Sequence, residues 1–388
     1  MPTLFTRGAA SARGFGFGAA AAAVPYVPVI EPTIQGRMWA WGYYVFGVLG
    51  QGNTTSYSSP KQIGSDTTWA KIAPTRGLFC VAIKTNGTMW AWGYGGGGRL
   101  AQGNTTTYYL PKQIGALTTW SEASTSINHA LALKTDGTLW SWALNGGGQL
   151  GLGNTTDYSS PKQVGALTNW LKIAARNGGS LAIKTNGTLW SWGGNGAGDC
   201  GLGNTTNYSS PKQVGALTTW ATLAKGVGGG SLATKTNGTL WAWGDNSSGQ
   251  LGLGNTTNYS SPKQVGALTT WSKVAGGFNG WTLAVKTDGT LWTWGTNGSG
   301  QLGHGNTTGY SSPKQVGALT GWSTVGAGDR HSVATKTNGT LWSWGLNDQG
   351  QLGLGNMTNY SSPKQIGTAT TWAAAGGGYK MSLAIATI

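Results

Sequence analysis

Acidic residues are scarce in this chain, whose 388 residues include 10 Asp and Glu against 25 Lys and Arg. Cysteine is scarcer still, because Cys80 and Cys200 are the only two, and neither lies in a C-x-x-C motif. The pair gives no support to a zinc or redox site, and because its members fall in different repeats and at different repeat positions, no disulfide between them is expected. No run of about 18 apolar residues exists, so the sequence predicts no membrane-spanning helix.

Sequence signatures of catalysis are also missing. His129, His304 and His331 are widely separated, and the chain has no P-loop, no H-E-x-x-H motif and no Ser/His/Asp order typical of a hydrolase. We therefore predict no catalytic residue, no metal ligand and no cofactor, and a protein that is not an enzyme.

Tryptophan and glycine are abundant, with 22 and 69 residues, and 21 of the tryptophans follow a period of about 50 residues. Trp281 alone lies outside this pattern. W-x-W pairs begin at Trp39, Trp90, Trp140, Trp190, Trp241, Trp292 and Trp342. A lone tryptophan recurs at Trp69, Trp120, Trp170, Trp220, Trp271, Trp322 and Trp372. P-K-Q begins at Pro60, Pro111, Pro161, Pro211, Pro262, Pro313 and Pro363.

Each repeat predicts four short strands, which indicates a propeller and not a helical solenoid. In one repeat the strands are expected at 271–275, 281–286, 290–295 and 313–316. The second and third strands flank an Asp-Gly pair, which is typical of a tight hairpin. The fourth starts with a proline, which suits an outer edge strand because proline cannot donate a ladder hydrogen bond.

The two ends of the chain complement each other. Residues 37–64 contain only the third and fourth strands of a repeat, and residues 372–387 only the first and second. Neither half forms a full blade, but together they do. The sequence therefore predicts an all-β, seven-bladed propeller of four-stranded blades, closed by a blade that the two termini share.

Basic residues are spread around this predicted ring. Thirteen of the 25 are lysines at two fixed repeat positions, in P-K-Q and in the K-T-N/D-G-T hairpins. Nucleic-acid sites usually gather their lysines and arginines in one patch. The net charge of +15 therefore does not favour nucleic acid as the partner.

The motifs resemble a known family. G-Q-L-G-L-G-N at 148–154, 249–255 and 350–356, together with L-W-S-W-G and the G-x-x-H-S motif at 328–332, is similar to the regulator-of-chromosome-condensation repeat. The resemblance covers about 37–387 and implies the same propeller fold. Members of that family include an exchange factor for a nuclear GTPase, a plant ultraviolet-B photoreceptor and an inhibitor of β-lactamase. The acidic inserted surface of the first and the clustered G-W-R-H-T motifs of the second are absent here.

Differences between the repeats concentrate between the first and second strands, in loops that recur once per blade and so lie on one face. Diversified loops on a rigid scaffold are typical of binding proteins, although neutral drift in loops is an equal alternative. His129 and His331 occupy equivalent repeat positions, which indicates a structural role for both. The candidate binding residues are Arg76, Asn128, His129, Arg176, Asn279, Trp281, Asp329, Arg330, His331, Tyr379 and Lys380.

The long loops after the third strands are a second candidate region. Tyr43, Tyr44 and Phe46 stand out in the first of them, but repeated glycine and leucine favour compact packing as their main role.

Residues 1–36 differ from the repeats and are rich in small residues. A signal peptide and a disordered tail are alternatives, but the opening F-T-R-G-A-x-S-A-R-G-F-G-F-G resembles the start of structural proteins from tailed bacteriophages. That resemblance implies an anchor to other virion proteins through Phe5, Arg7, Arg13, Phe15 and Phe17. The predicted function is a virion component, a fibre, tail or capsid decoration, that binds a host-surface protein or glycan. The alternative is a secreted or cytoplasmic protein-binding propeller that acts as an inhibitor or adaptor.

Overall fold

A computed structural model describes residues 34–74, 77–225 and 228–388, and within these ranges it contains 28 β-strands and two short 3-10 helices, Val45–Gly47 and Gly96–Gly98. The described ranges include no helix that is long and apolar enough to span a membrane. The predicted anchor residues of segment 1–36 and the candidate binding residue Arg76 lie outside the described residues.

The strands fall into four classes by their order in each repeat. The first strands are β3 (Trp69–Pro74), β7 (Trp120–Thr125), β11 (Trp170–Arg176), β15 (Trp220–Leu223), β19 (Trp271–Gly277), β23 (Trp322–Ala327) and β27 (Trp372–Gly377). The second strands are β4 (Phe79–Lys84), β8 (His129–Lys134), β12 (Gly179–Lys184), β16 (Ser231–Lys235), β20 (Trp281–Lys286), β24 (His331–Lys336) and β28 (Met381–Thr387). The third strands are β1 (Gly36–Gly42), β5 (Met89–Gly93), β9 (Leu139–Ala143), β13 (Leu189–Gly193), β17 (Leu240–Gly244), β21 (Leu291–Gly295) and β25 (Leu341–Gly345). The fourth strands are β2 (Tyr57–Gln62), β6 (Tyr108–Gln113), β10 (Tyr158–Gln163), β14 (Tyr208–Gln213), β18 (Tyr259–Gln264), β22 (Tyr310–Gln315) and β26 (Tyr360–Gln365).

Every blade is an antiparallel sheet with its strands in this order. Blades 1 to 6 run from β3–β6 to β23–β26, and blade 7 has the order β27-β28-β1-β2. In blade 7, β1 and β28 pair along their whole length, from Gly36 opposite Thr387 to Gly42 opposite Met381. The blade shared between the two ends of the chain is thus confirmed.

The first strands form the inner wall of the ring. They contact one another from β3 through β7 and β11 to β15, and from β19 through β23 and β27 back to β3. Between blades 4 and 5 the contact is a parallel bridge of Lys225 with Ala275. The fourth strands lie at the outer edge and are partly exposed. This closed arrangement of seven blades leaves no inner sheet edge without a neighbour.

Tryptophan side chains join each blade to the next. The second tryptophan of every W-x-W pair is fully buried, and its indole N–H donates to a backbone carbonyl in the long loop of the preceding blade. The seven donor–acceptor pairs are Trp41–Gln351, Trp92–Val48, Trp142–Arg99, Trp192–Gln149, Trp243–Asp199, Trp294–Gln250 and Trp344–Gln301, at 2.8–2.9 Å. Burial of the ring and pairing of its N–H therefore stabilise the same blade interface.

The first tryptophan of each pair is only partly buried and is held at the opposite end of the blade. In blade 3, Trp190 Nε1 donates to Thr188 Oγ1 at 3.0 Å, and Lys184 Nζ lies 3.7 Å from the ring centroid. The hairpins of blades 1 to 6 repeat this Lys–Trp stack. Blade 7 has Ala386 in place of the lysine, and Trp39 Nε1 has no hydrogen-bond partner among the described residues.

One detail of the sequence prediction is wrong. The fourth strand of blade 5 begins at Tyr310, three residues before Pro313, so the proline lies inside the strand. The pairing of β21 with β22 is irregular between Thr293 opposite Lys314 and Gly295 opposite Tyr310. A proline is tolerated there because an edge strand interrupted by a bulge does not need every N–H for pairing.

Candidate binding face

Antiparallel strands alternate in direction, so the loops that follow the first and third strands of every blade leave the ring on the same side. This side is here called the loop face. It carries the loops between first and second strands and the long loops between third and fourth strands. Backbone hydrogen bonds join the two sets, as in Tyr43 N to Lys380 O at 2.8 Å and Leu346 N to Arg330 O at 2.9 Å. The K-T-N/D-G-T hairpins lie on the opposite face.

The structure divides the ten described candidate residues into an interior and a surface group. The interior group is His129, Arg176, Trp281, Asp329 and His331, none more than 5% exposed. The surface group is Asn128, Asn279, Arg330, Tyr379 and Lys380. Only the surface group can touch a large partner without rearrangement of the ring, so the candidate face is smaller than the loop sequences suggest.

The two buried histidines bridge neighbouring blades. His129 Nε2 is 2.9 Å from Ser180 Oγ, and Ser180 donates its own hydroxyl to Gln149 O at 2.8 Å. The serine oxygen therefore accepts from Nε2–H, and Ser126 Oγ, 2.8 Å from Nδ1, donates to the other ring nitrogen. His331 makes the same bridge to Ser382 in the next blade.

This chemistry is structural and not catalytic. Burial lowers the pKa of His129 to about 3, with nearby Arg176 acting in the same direction. Burial likewise lowers the pKa of His331 to about 4. A neutral imidazole that donates to a buried serine does not activate that serine as a nucleophile. His129 and His331 thus occupy equivalent positions in their repeats and make the same hydrogen bond to a serine of the next blade.

Arg176 is buried at the end of the first strand of blade 3. Its Nη2 donates to Gly194 O at 2.8 Å and lies 3.3 Å from Cys200 Sγ, and its Nη1 is 3.9 Å from Asp199 Oδ2. Asp199 stands where four other repeats have Gln, as at Gln149, and Cys200 stands where the other six have Leu, as at Leu150. Three departures from the repeat therefore belong to one buried cluster.

The space between the two loops of a blade, here called the slot, holds one large side chain, which comes from the end of the first strand in blade 3 and from the start of the second strand in blade 6. A Cβ added to Gly179 would lie 2.4 Å from Arg176 Cζ, whereas a Cβ added to Gly328 would lie 2.1 Å from the His331 ring. Blade 3 thus combines Arg176 with Gly179, and blade 6 combines Gly328 with His331. This exchange of a large residue for glycine is a packing constraint that explains part of the loop variation.

Two members of the surface group, Asn279 and Lys380, make contacts between blades 5, 6 and 7. Asn279 Nδ2 donates to the backbone and side-chain oxygens of Asp329 at 3.0 and 3.1 Å. Lys380 Nζ lies 2.5 Å from Asp348 Oδ2, and this pairing raises the pKa of Lys380. Arg330, in the loop between β23 and β24, is an exposed cation.

Positive charge follows the repeat around the molecule. In blades 1 to 6 the lysine of the P-K-Q motif lies over the tyrosine of its own outer strand, as Lys112 does at 4.1 Å from the Tyr108 ring centroid. Between blades, shallow outer depressions of about 350 Å³ are lined by residues such as Leu167, Trp170 and Trp190. The charge is therefore distributed, as the sequence predicts.

No cluster of three or more His, Cys, Asp or Glu able to hold a metal ion occurs in ranges 34–74, 77–225 and 228–388. Cys80 and Cys200 are both buried free thiols, which confirms that they do not pair. Burial raises the pKa of each thiol, which makes both of them poor nucleophiles.

The sequence analysis found only part of a group of aromatic residues in and next to the long loops of the loop face. It singled out Tyr43, Tyr44 and Phe46 but not Tyr94 or Tyr109, which belong to the following repeat. Comparison of each residue with its repeat equivalents would have found them, because Tyr109 stands where the other outer strands have serine.

Comparisons with known proteins agree with this architecture. The regulator of chromosome condensation (RCC1) repeat model matches residues 86–133, 136–183, 186–228, 237–280, 288–335 and 338–385. A protein RCC2 homolog of Danio rerio is 44% identical over 79 residues, which is 20% of this chain and 16% of the relative. The ultraviolet-B receptor UVR8 of Arabidopsis thaliana is 37% identical over 103 residues, 26% of this chain and 22% of the receptor. The matches thus cover about a fifth of these relatives' length.

Solved structures show the same fold at low sequence identity. Prp20p of Saccharomyces cerevisiae superposes with a TM-score of 0.80 and 18% identity, covering 92% of each chain. Human WBSCR16 superposes with a TM-score of 0.79 and 19% identity, covering 90% of this chain and 98% of that chain. Since the repeat model matches well over half of the sequence and the blades close into one ring, this chain belongs to the regulator-of-chromosome-condensation (RCC1) repeat family of β-propellers.

Proposed function

We propose that this protein is a non-enzymatic, protein-binding propeller that acts as an adaptor or inhibitor through its loop face. The observation that carries the proposal is the contrast between the two parts of each blade. Strands and hairpins repeat almost unchanged, whereas the exposed Arg330 and the partly exposed loop residues Asn128, Asn279, Tyr379 and Lys380 differ from repeat to repeat. A rigid ring that presents unlike side chains on one face suits recognition of a protein surface.

Proteins of the same fold support this class of function. Prp20p is described by its binding to Gsp1p and histones, and a second structure shows it bound to Kap60. One matched relative is an E3 ubiquitin-protein ligase, HERC2, of which the match covers 2%. Binding of proteins is thus the property that we transfer to this chain, and ligase or exchange activity is not.

A virion component is the second candidate. It depends on the sequence of residues 1–36, almost all of which lie outside the described residues, and the comparisons match the propeller to the proteins named above. We therefore prefer the protein-binding hypothesis, and a single experiment can distinguish it from the virion hypothesis.

The experiment is cross-linking mass spectrometry on native material, followed by affinity measurement with the partner it identifies. We expect cross-links from Lys380 and Lys225, near the loop face, and at least about tenfold weaker binding by Arg330→Glu. Lys162→Glu is the matched control, because it reverses a charge on an outer strand. Equal weakening by both variants would refute the loop face as the site. Residues 1–36 contain no lysine, so the cross-linker must also react with the N-terminal amine and with carboxylates such as that of Glu31. Cross-links confined to residues 1–36 and capsid or tail proteins would then replace the proposal with the virion role.

A further inference from the structure

The long loops of blades 7 and 1 bring together an aromatic sector, defined here as Tyr43, Tyr44, Phe46, Tyr94 and Tyr109. We propose that this sector, with Arg99 at its border, is the main contact of the loop face, and that it binds a protein segment with apolar side chains flanked by carboxylates. The inference rests on the proposed protein-binding function and names the chemistry of the partner.

Ring contacts join the sector across a blade boundary. Phe46 of blade 7 and Tyr94 of blade 1 have ring centroids 4.7 Å apart with an interplanar angle of 39°, and Tyr43 and Tyr44 are 5.4 Å apart. Tyr109 packs against the loop of blade 7, where a Cβ on Gly47 would lie 2.6 Å from its ring. The sector therefore contains side chains from two neighbouring repeats, and Phe46 and Tyr94 are in contact across the boundary between them.

Its exposure is unusual for this molecule. Phe46 and Tyr109 are each 41% exposed, and the adjacent Leu110 is 58% exposed. Among the described residues, the other large hydrophobic side chains with comparable exposure are leucines of the outer edge, Met357 and Ile388. Exposed aromatic rings thus concentrate at one place on the ring, as they do in the energetically dominant parts of protein interfaces.

The backbone at Phe46 gives independent support. Phe46 has φ of 53° and ψ of 24°, and the equivalent residue in the next blade is Gly97, with φ of 69°. A bulky residue in this left-handed conformation is strained, and glycine relieves that strain at no steric cost. The Phe46 ring stays exposed, so its burial does not offset the backbone strain. We therefore attribute the presence of a phenylalanine here to a contact outside the chain.

The other blades lack these side chains. Tyr109 is replaced by Ser58, Ser159, Ser209, Ser260, Ser311 and Ser361, and the residues at the Tyr94 position elsewhere, apart from Tyr43, are Leu144, Gly194, Asp245, Thr296 and Leu346. The repeat therefore folds without the aromatic rings, and their presence in one sector is not required by the propeller itself.

Charge around the sector defines the partner. The partly buried Arg99 guanidinium lies 5.3 Å from the Tyr94 ring centroid. It donates to Gly96 O, and to Ile127 O and Asn128 Oδ1 at 3.0 and 3.3 Å. Of the nearby carboxylates, Asp348 is paired with Lys380, and Asp157 accepts from Asn145 N at 2.7 Å. A surface of tyrosine, phenylalanine and arginine on a strongly basic protein complements apolar side chains beside carboxylates.

A protein occupant is favoured over a glycan by the exposure of the sector, because Phe46 and Tyr109 are each 41% exposed. Small ligands bind mainly in concave pockets, whereas protein interfaces use exposed aromatic and arginine side chains of this kind.

The test uses replacements that the chain itself supplies. The variant Phe46→Gly/Tyr94→Thr/Tyr109→Ser changes each residue to one found at an equivalent position. Phe46→Gly alone removes the strain and is expected to fold at least as well as the native chain. The matched control Leu217→Ser/Leu268→Ser/Leu319→Ser removes exposed apolar side chains from the outer edge.

The probe is a displayed library of random peptides, selected on the native chain and then measured on each variant. We expect enriched peptides with Leu, Phe or Trp beside Asp or Glu, whose affinity falls at least about tenfold in the triple variant and in part with Phe46→Gly, but not in the control. Peptides that bind the triple variant equally well, or that are basic, would overturn the inference. Glycan-array binding that is lost in the triple variant would also overturn it, in favour of a sugar ligand.

The two proposals fail in different ways. A partner whose binding depends on Arg330 but not on the aromatic sector would leave the proposed function standing and remove this inference. A partner that binds independently of both sets of residues would remove both.

Discussion

The indole N–H of Trp41 donates to the backbone carbonyl of Gln351 at 2.9 Å, although 310 residues separate the two along the chain. Ser382 Oγ donates to the same carbonyl at 2.9 Å. The junction of blades 6 and 7 is therefore held in the same way as junctions inside the chain, such as Trp192 with Gln149. Closure of the ring uses the repeat interface and needs no separate device.

Trp41→Phe should weaken the seam of the ring, meaning blade 7, where the two ends of the chain pair, and its junction with blade 6. We expect a loss of about 1–3 kcal/mol in the free energy of unfolding, because a buried hydrogen bond and part of a large ring disappear. Hydrogen exchange should accelerate in Gly36–Gly42 and Met381–Thr387, since no covalent hairpin joins those strands. Trp192→Phe is the control, and it should lower stability without a local effect at the seam. Identical exchange patterns in the two variants would contradict this account.

Ala386→Lys should stabilise blade 7. In the other six blades a lysine at this position lies over the first tryptophan of W-x-W, whereas Trp39 has no such cation. We expect a gain of about 0.5–2 kcal/mol in the free energy of unfolding from a partly buried cation–π contact. Lys184→Ala should lose a similar amount, measured by denaturant unfolding at constant pH. A neutral or destabilising Ala386→Lys would show that the seam does not tolerate the stack.

Acid should destabilise the ring through its buried histidines. The folded-state pKa values of His129 and His331, about 3 and about 4, lie below the ordinary value of 6.5, so the unfolded chain binds more protons below pH 6.5. Stability is therefore complete above pH 6.5 and falls as the pH decreases toward 4, by up to about 1.4 kcal/mol per pH unit for each histidine.

The measurement is urea unfolding at several pH values between 7 and 5, roughly the window where histidines and not carboxylates titrate. His331→Met, which places the residue of blade 7 in blade 6, should reduce the slope. An unchanged slope would show that His331 does not remain neutral in the folded protein.

Arg176 and Gly179 should be coupled energetically. Gly179→His alone places atoms against the Arg176 guanidinium, and Arg176→Gly alone leaves a void and removes the cation beside Asp199. We expect each single change to cost about 1–3 kcal/mol. The double variant recreates the glycine–histidine pair of blade 6 and should cost at least about 1 kcal/mol less than the sum. Additive effects in this double-mutant cycle would refute the shared slot.

The aromatic sector and the interior residues show where prediction from sequence reached its limit. The variable loops were expected on one face of the ring, with a structural role for His129 and His331, yet His129, Arg176, Trp281, Asp329 and His331 are all buried. Variation between repeats reports both partner contacts and compensating changes in packing, and a single sequence does not separate them. Burial separates them, because only a folded ring shows which side chain fills the slot between two loops.

The sequence by itself determined the four-stranded blade, the number of blades and the closure of the ring by the two ends. It did so because tryptophans and hairpin turns recur at the same positions about every 50 residues, so each repeat forms the same strands and turns. Tertiary structure decided which loop residues reach the surface and which aromatic rings meet. Phe46 and Tyr94 belong to different repeats and become neighbours only when blade 7, built from both ends of the chain, packs beside blade 1.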